Sequence, residues 1–311
     1  MNGGIPLAPG EFRSGFIAIM GRPNTGKSTL INSLVGQKIA IASEKPQTTR
    51  NRILGVLTTE RYQMVFLDTP GLMSPATRLD KFMLRVAEST AEGVDVILLV
   101  VDGSRPPAQA ERDFGARLGK KRVPVILVVN KIDLLSPEQV SQALETYRQA
   151  LAVRDVAAPR ETVAVSALHQ THLSALLDAI HAHLPEGPKY YPADMVTDQP
   201  DRFYVAEIIR EKALEVLREE VPYALAAVVE EILPRREDLL FIRAYVFCEK
   251  AGQKGILIGE KGQRLKIIGS RARQELEAHF GKRIFLDLWV KVKKDWRDDP
   301  VELEQLGYRL T

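Results

Sequence analysis

At 311 residues, 45% hydrophobic and 27% charged, the chain is long enough for about two domains, each able to bury its own core. Its single cysteine, Cys248, excludes an internal disulfide and any cysteine-cluster metal site, so a reducing cytoplasmic setting is expected. The net charge of +3 hides an uneven distribution, because Lys250 to Arg297 holds 13 Lys and Arg against 5 Asp and Glu. That local excess points to a polyanionic partner, nucleic acid first and an anionic membrane surface second.

The opening "MNGGIPLAPGEF" is rich in Gly and Pro, and residues 1–14 are expected to be a disordered lead-in. It has no charged start followed by an apolar core, so it does not read as a secretory signal. From 15 to 184, short apolar runs alternate with amphipathic stretches. "GFIAIMG", "RILGVLTT", "YQMVFLDT", "DVILLVVD", "VPVILVVN" and "TVAVSA" predict six strands, far shorter than the ~20 residues of a membrane span. "KSTLINSLVG", "DKFMLRVAESTAEG", "PAQAERDFGARLG", "SPEQVSQALETYRQAL" and "HLSALLDAIHAHL" predict the helices between them. Ser136 before Pro137, with Glu138 and Gln139 following, is a good helix start. Most strands are continuously apolar, as expected of strands covered on both faces. The second and third are separated by about five residues, too few for a crossover, so that pair should be antiparallel. The rest predicts a six-stranded, mostly parallel, doubly wound α/β sheet. His181 and His183 lie two apart, do not share a helix face and read as surface residues.

Between the first strand and first helix stand Gly21, Arg22, Pro23, Asn24, Thr25, Gly26, Lys27 and Ser28, then Thr29. This matches the phosphate-binding loop pattern in its required strand–turn–helix setting. The glycines let successive N–H groups turn onto phosphate oxygens. Lys27 can reach the β- and γ-phosphates, and the Ser28 hydroxyl can ligate Mg²⁺. At the end of the third strand, Asp68, Thr69, Pro70 and Gly71 place a carboxylate to hold Mg²⁺ through water and a Gly71 N–H to sense the γ-phosphate. Asn130, Lys131, Ile132 and Asp133 follow a buried strand, where ligands of such sheets bind. Asp133 can accept two hydrogen bonds from guanine N1–H and the N2 amine, donors that adenine lacks. Val165, Ser166 and Ala167 end the last strand and can offer an N–H to guanine O6. Together these motifs predict GTP and GDP, with Mg²⁺, as the ligands.

The segment 185–202 contains Pro185, Pro188, Pro192 and Pro200, and reads as a linker. Beyond it, over 203–299, "FYVAEIIREKALEVLREE" predicts a helix, and "YALAAVVEEIL" and "LFIRAYVFCEK" predict strands. Two helices about the turn in "GILIGEKGQRLKIIG" follow, then a strand, "IFLDLWVKVKK", and a tail over 300–311. Gly259, Glu260, Lys261 and Gly262 form a GxxG turn between those two helices. In KH domains such a loop clamps about four nucleotides of a single strand. Lys254, Lys261, Arg264, Lys266, Arg271 and Arg273 supply counter-charge, and the helix–strand–strand–helix–helix–strand order is that of a smaller α+β, type II KH domain.

With these residues in view, the chain resembles the Era family of GTPases from about Gly15 to Tyr308. "KPQTTRNRILGV" resembles the family's switch I, with Thr49 or its neighbour Thr48 as match to the Mg²⁺-binding threonine. "GEKG" and "FLDLWVKVKKDWR" resemble its RNA-binding portion. Leu72 stands where Ras-like GTPases carry a water-orienting glutamine, so slow intrinsic hydrolysis is expected. At Asn24, K⁺ coordination as in related GTPases and stabilisation of the loop turn are both open. The resemblance implies Lys27, Ser28, Thr49, Gly71 and Asn24 in catalysis, and the 3′ end of small-subunit ribosomal RNA and the small ribosomal subunit as partners. It also implies peripheral contact with the inner membrane; a monomer is expected. The competing readings are a membrane-surface regulator whose basic carboxyl-terminal face binds lipid, and a P-loop kinase or ATPase, which Asp133 opposes.

Overall fold

The computed structural model describes residues 12–72, 75–118, 123–151, 159 and 161–309. The expected lead-in lies outside the described residues up to residue 11, while Arg13 and Ser14 stand in the first strand. The elements in the first part are β1 (Arg13–Met20), α1 (Lys27–Val35), β2 (Ile53–Thr58), β3 (Tyr62–Asp68), α2 (Arg78–Thr90) and β4 (Val96–Asp102). They continue with α3 (Gln109–Leu118), β5 (Val125–Asn130), α4 (Pro137–Leu151), β6 (Glu161–Ala164) and α5 (Leu173–His183). The sheet order is β2-β3-β1-β4-β5-β6, with β2–β3 antiparallel and the other pairs parallel. β4 and β5 are buried at every position, as their unbroken apolar runs require. Each fully buried Val, Leu or Ile contributes ~1.5–3 kcal/mol, so these central strands dominate the stability of the sheet. Ser136 starts α4 with a reciprocal pair: its N–H donates to Gln139 Oε1 (2.8 Å), and Gln139 N–H donates to Ser136 Oγ (3.3 Å).

The second part comprises α6 (Asp201–Val216), β7 (Ala226–Arg236), β8 (Leu239–Cys248), α7 (Ala251–Ile258), α8 (Gln263–Phe280), β9 (Arg283–Val292) and α9 (Pro300–Gln305). Its three-stranded sheet runs β7-β8-β9, antiparallel then parallel. Ile208, Ile209, Ile242, Val246, Leu257, Ile268 and Leu276 meet in its core. β7 begins three residues later than "YALAAVVEEIL" suggests, because Pro222 sits in a 3₁₀ turn over Val221–Ala224. α9 was missed altogether in the sequence, although Asp299 caps it by accepting from the Val301 and Glu302 N–H groups, and Pro300 opens it.

Two compact units divide the chain differently from a single cut. Of the described residues, the first takes those within 12–40, 49–72 and 83–198; the second takes those within 41–48, 75–82 and 199–309. In the first, the proline-rich stretch is fastened by the buried Gln63 amide. Its Oε1 accepts from the Tyr190 and Tyr191 N–H groups (2.6 and 3.0 Å), and its Nε2 donates to the Tyr191 carbonyl (2.9 Å). In the second, Ile41 joins the apolar core and Ala42 N–H donates to Glu211 Oε1 (3.0 Å). Lys45 Nζ meets the carbonyls of Leu214 and Leu217, and Arg210 Nη2 meets the carbonyl of Thr48. The first turn of α2 is satisfied there too, with Arg78 N–H on Asp298 Oδ1 and Leu79 N–H on the Arg297 carbonyl, both 2.9 Å. Among the described residues no helix is long and apolar enough to cross a membrane.

Candidate functional site

The loop from Gly21 to Ser28 leaves β1 and feeds α1, so its N–H groups gather at a helix amino end. Gly26 has φ 92°, and a Cβ there would lie 2.2 Å from Asn130 Nδ2, so the position admits only glycine. Asn130 is why: its Nδ2 donates to the Thr25 carbonyl and its Oδ1 accepts from Ala167 N–H, both 2.9 Å. One buried amide thus ties the phosphate loop to the ends of β5 and β6. Thr25 Oγ1 and Lys27 Nζ both donate to the Arg22 carbonyl (3.1 and 2.8 Å), and Asn24 holds a left-handed φ of 64° within the turn. Arg22 lies 3.8 Å from Glu111. Gly71 approaches so closely that an added Cβ would sit 2.6 Å from Pro23 N, and Leu72 N–H donates to the Gly21 carbonyl (3.1 Å). Thr69 Oγ1 donates to the Ile19 carbonyl (2.8 Å), Pro70 is buried beside it, and Thr29 follows Ser28 into α1.

Three oxygens converge next to Lys27. Ser28 Oγ donates to Asp68 Oδ2 (2.8 Å) and lies 2.8 Å from Thr49 Oγ1, which is itself 3.4 Å from Asp68 Oδ2. Thr48 Oγ1 instead donates to the Lys45 carbonyl (2.6 Å) and does not join this cluster. Asp68 Oδ1 is buried and accepts no hydrogen bond among the described residues. Two hydroxyls and a carboxylate with a spare oxygen are hard donors that suit Mg²⁺.

Burial makes the charges of this site electrostatically costly. Burial pushes the Asp68 carboxyl up to about 6, against the pull of Lys27 and the Ser28 hydrogen bond. Burial likewise lowers Lys27 to about 8, although Asp68 pulls it the other way. Between the ordinary Asp value of 3.8 and about 6, the fold keeps a proton that the unfolded chain has released. Stability of the nucleotide-free protein should therefore fall as pH rises through that window. Between about 8 and 10.5 the fold has lost the Lys27 proton that the unfolded chain keeps, so stability should recover as pH rises. Denaturant midpoints against pH test this, with Asp68→Asn removing the lower limb. A lower limb that persists in Asp68→Asn would assign it to other groups.

The base end is built on the turn after β5. Lys131 takes φ 67° and its Nζ reaches Asp102 Oδ2 at 2.7 Å. Ile132 and the exposed Asp133 follow in a 3₁₀ turn, and Asp133 Oδ1 accepts from Ser166 Oγ at 2.5 Å. The N–H groups of Val165, Ser166 and Ala167 are all engaged, by Val129 O (2.9 Å), Thr171 O (3.2 Å) and Asn130 Oδ1 (2.9 Å). A hydrogen bond from this triplet to guanine O6 must therefore share or displace one of those partners. Asp102 was missed as the anchor of Lys131. Its signal was an Asp-Gly-Ser turn at the end of the apolar run "DVILLVVD", with Ser104 N–H and Oγ bonding the same carboxylate (3.0 and 2.6 Å).

In the second unit, Gly259 (φ 73°), Lys261 (φ 49°) and Gly262 (φ 78°) form the turn between α7 and α8, with Glu260 and Lys261 exposed. Beside it runs an open groove between α8, which contributes Lys266, Gly269 and Arg273, and β9, which contributes Ile284, Leu286 and Leu288. Gly262 lies at its end. Arg264 turns back to the Ile256 carbonyl (2.9 Å), and Lys254 lies half-buried one turn earlier on α7.

A family model described as a 50S ribosome-binding GTPase matches residues 16–131, and one described as a KH domain matches 220–297. The GTPase Era of Caldanaerobacter subterraneus subsp. tengcongensis is 48% identical over 96% of this chain and 99% of its own length. This chain belongs to the Era family. Another Era, from Heliobacterium modesticaldum, is 48% identical over 96% of the chain and 98% of its own. A crystal structure of Era with MgGDPNP and nucleotides 1506–1542 of 16S ribosomal RNA is 40% identical, with TM-score 0.91, covering 96% of this chain and 100% of that one. An Aquifex aeolicus Era variant bound to GDP and AlF₄⁻ gives 40% identity and TM-score 0.90 over the same shares. The Era fold, a GTPase sheet followed by a KH unit, is thus the fold of this chain.

Proposed function

We propose that this Era-family GTPase binds and hydrolyses GTP and uses the nucleotide state to control its grip on the single-stranded 3′ end of 16S ribosomal RNA during small-subunit assembly. One observation carries the switch. Thr49 stands on Ser28 and Asp68, while the residue before it, Thr48, is held by Arg210 within the unit that bears the GxxG turn. Thr48 and Thr49 are consecutive residues, so the switch segment is shared between the two units.

The functional boundaries we adopt are 15–184 for the GTPase portion and 203–299 for the RNA-binding portion. Lys27 and the loop N–H groups hold the β- and γ-phosphates, and Asp133 reads guanine. Mg²⁺ held by Ser28, Thr49 and Asp68 would neutralise charge on the phosphate oxygens. Leu72 packs against the apolar core of the sheet and offers no amide to orient water, which makes unaided hydrolysis slow. Asn24 is our candidate K⁺ contact, although its left-handed backbone also serves the turn.

The test is a titration of fluorescent 16S 3′-end RNA into the GTP-analogue, GDP and nucleotide-free forms. A switch requires RNA affinities that differ by about 5-fold or more, with the same factor recovered when nucleotide is titrated with and without RNA. Equal RNA affinities in all three forms would leave two independent binding modules.

A further inference from the structure

The turn that carries Asp133 begins on a strained residue. Lys131 takes a left-handed φ of 67°, a conformation that disfavours a residue with a Cβ. The turn closes on that same residue: Leu134 N–H donates to the Lys131 carbonyl (3.1 Å), with Ile132 and Asp133 between them. Where the Asp133 carboxylate points therefore depends on the Lys131 backbone staying left-handed. Strain of this kind persists only where the surroundings over-determine it.

A buried carboxylate supplies that restraint. The β4–β5 register sets Asp102 beside Asn130, the residue before Lys131, and Gly103 N–H donates to the Asn130 carbonyl (2.8 Å). Asp102 Oδ2 then meets Lys131 Nζ at 2.7 Å, while Arg105 Nε stands further off at 3.7 Å. The carboxylate is itself fixed. Its Oδ1 accepts from Ser104 N–H (3.0 Å) and Ser104 Oγ (2.6 Å), and the buried Tyr147 donates its hydroxyl to the Asp102 and Arg105 carbonyls, both at 3.1 Å. Burial opposes the charge, yet the bonds from Lys131 and Ser104 outweigh it and hold the Asp102 carboxyl below its usual range. The Asp102 side chain is 8% exposed and that of Lys131 30%, so the pair is less screened than one on open surface.

We propose that Asp102 is a positioning residue for base recognition, which by gripping the Lys131 ammonium keeps the turn left-handed and so keeps Asp133 aimed at guanine. The Asp102 carboxylate acts through Lys131 and Asp133 and not on the nucleotide itself. The base is common to GTP and GDP and lies away from the bond that is cut. The grip therefore contributes to binding of both nucleotides alike and not to the hydrolytic step. The proposal rests on Asp133 reading guanine, and the test separates the two.

Affinities are read by competition of GTP and GDP against a fluorescent guanine nucleotide. Asp102→Asn keeps the shape of the side chain and removes its charge. GTP and GDP should each bind about 5-fold or more weaker, the population shift expected when a left-handed lysine is released, with kcat at saturating GTP within about twofold. Ser104→Ala, at an exposed position, loosens the carboxylate without entering the core and should act in the same direction. Two backgrounds identify the route. Lys131→Gly removes both the ammonium and the left-handed penalty, and Asp133→Ala removes the base-reading carboxylate. In either one, adding Asp102→Asn should change GTP affinity by less than about twofold. An Asp102→Asn loss that persists in full in either background would overturn the proposal, and so would unchanged affinity in Asp102→Asn and Ser104→Ala alike. An Asp133→Ala protein that binds GTP as tightly as the wild type would instead overturn the reading of Asp133 on which the proposal rests.

Discussion

Asp133→Asn is expected to lower GTP affinity by about 10²–10⁴-fold and to create binding of xanthosine triphosphate. The two hydrogen bonds we propose from guanine to the Asp133 carboxylate would be charge-assisted, at ~1.5–3 kcal/mol each, and each 1.4 kcal/mol is about tenfold. Asparagine keeps one oxygen to accept from Ser166 Oγ, now 2.5 Å from Asp133 Oδ1, so the side chain should stay aimed. Its amide then faces the base, repelling the guanine amine and donating to the xanthine 2-oxo group. Competition of unlabelled GTP, xanthosine triphosphate and ATP against a fluorescent guanine nucleotide reads the change. A wild type that binds ATP as tightly as GTP would remove Asp133 from the base site.

Gly262→Asp should abolish single-stranded RNA binding, a loss of at least about 3 kcal/mol, because a carboxylate replaces one or two charge-assisted phosphate contacts. The structure makes this a clean substitution. Gly262 has φ 78°, where aspartate is strained by roughly 1 kcal/mol, but nothing lies within 4 Å of an added Cβ, so the fold has room for it. GTP binding should be unchanged and the melting midpoint lowered only slightly. Lys261→Ala keeps the backbone and removes one exposed charge, so it should weaken every RNA sequence alike and shallow the salt dependence by roughly 0.7 log unit per log unit of salt. RNA binding retained in Gly262→Asp would remove the clamp from this turn.

What the amino-acid order determined by itself was local. The P-loop lies within eight consecutive residues, Asp68, Asp133 and Ser166 each follow an apolar run, and the GxxG turn separates two helical stretches. Each is legible because the backbone that makes it and the residues that mark it are the same few positions. The antiparallel β2–β3 pair was legible for the same reason, from the length of its loop. Tertiary structure decided whatever depends on partners far along the chain. Thr49 and its neighbour Thr48 both remain candidates in sequence, and only tertiary structure sets Thr49 on Ser28 and Asp68 while Thr48 bonds Lys45. The Pro-rich stretch reads as a free linker until the buried amide of Gln63 is seen to need its N–H groups. Residues 41–48 read as a GTPase loop, yet Ile41, Lys45 and Thr48 find their apolar and polar partners on α6 and its core. The buried face of β9 was likewise decided by packing, since alternation along "IFLDLWVKVKK" shows two faces but not which one the helices cover. A period of two sets which residues share a side; only packing decides which side is buried.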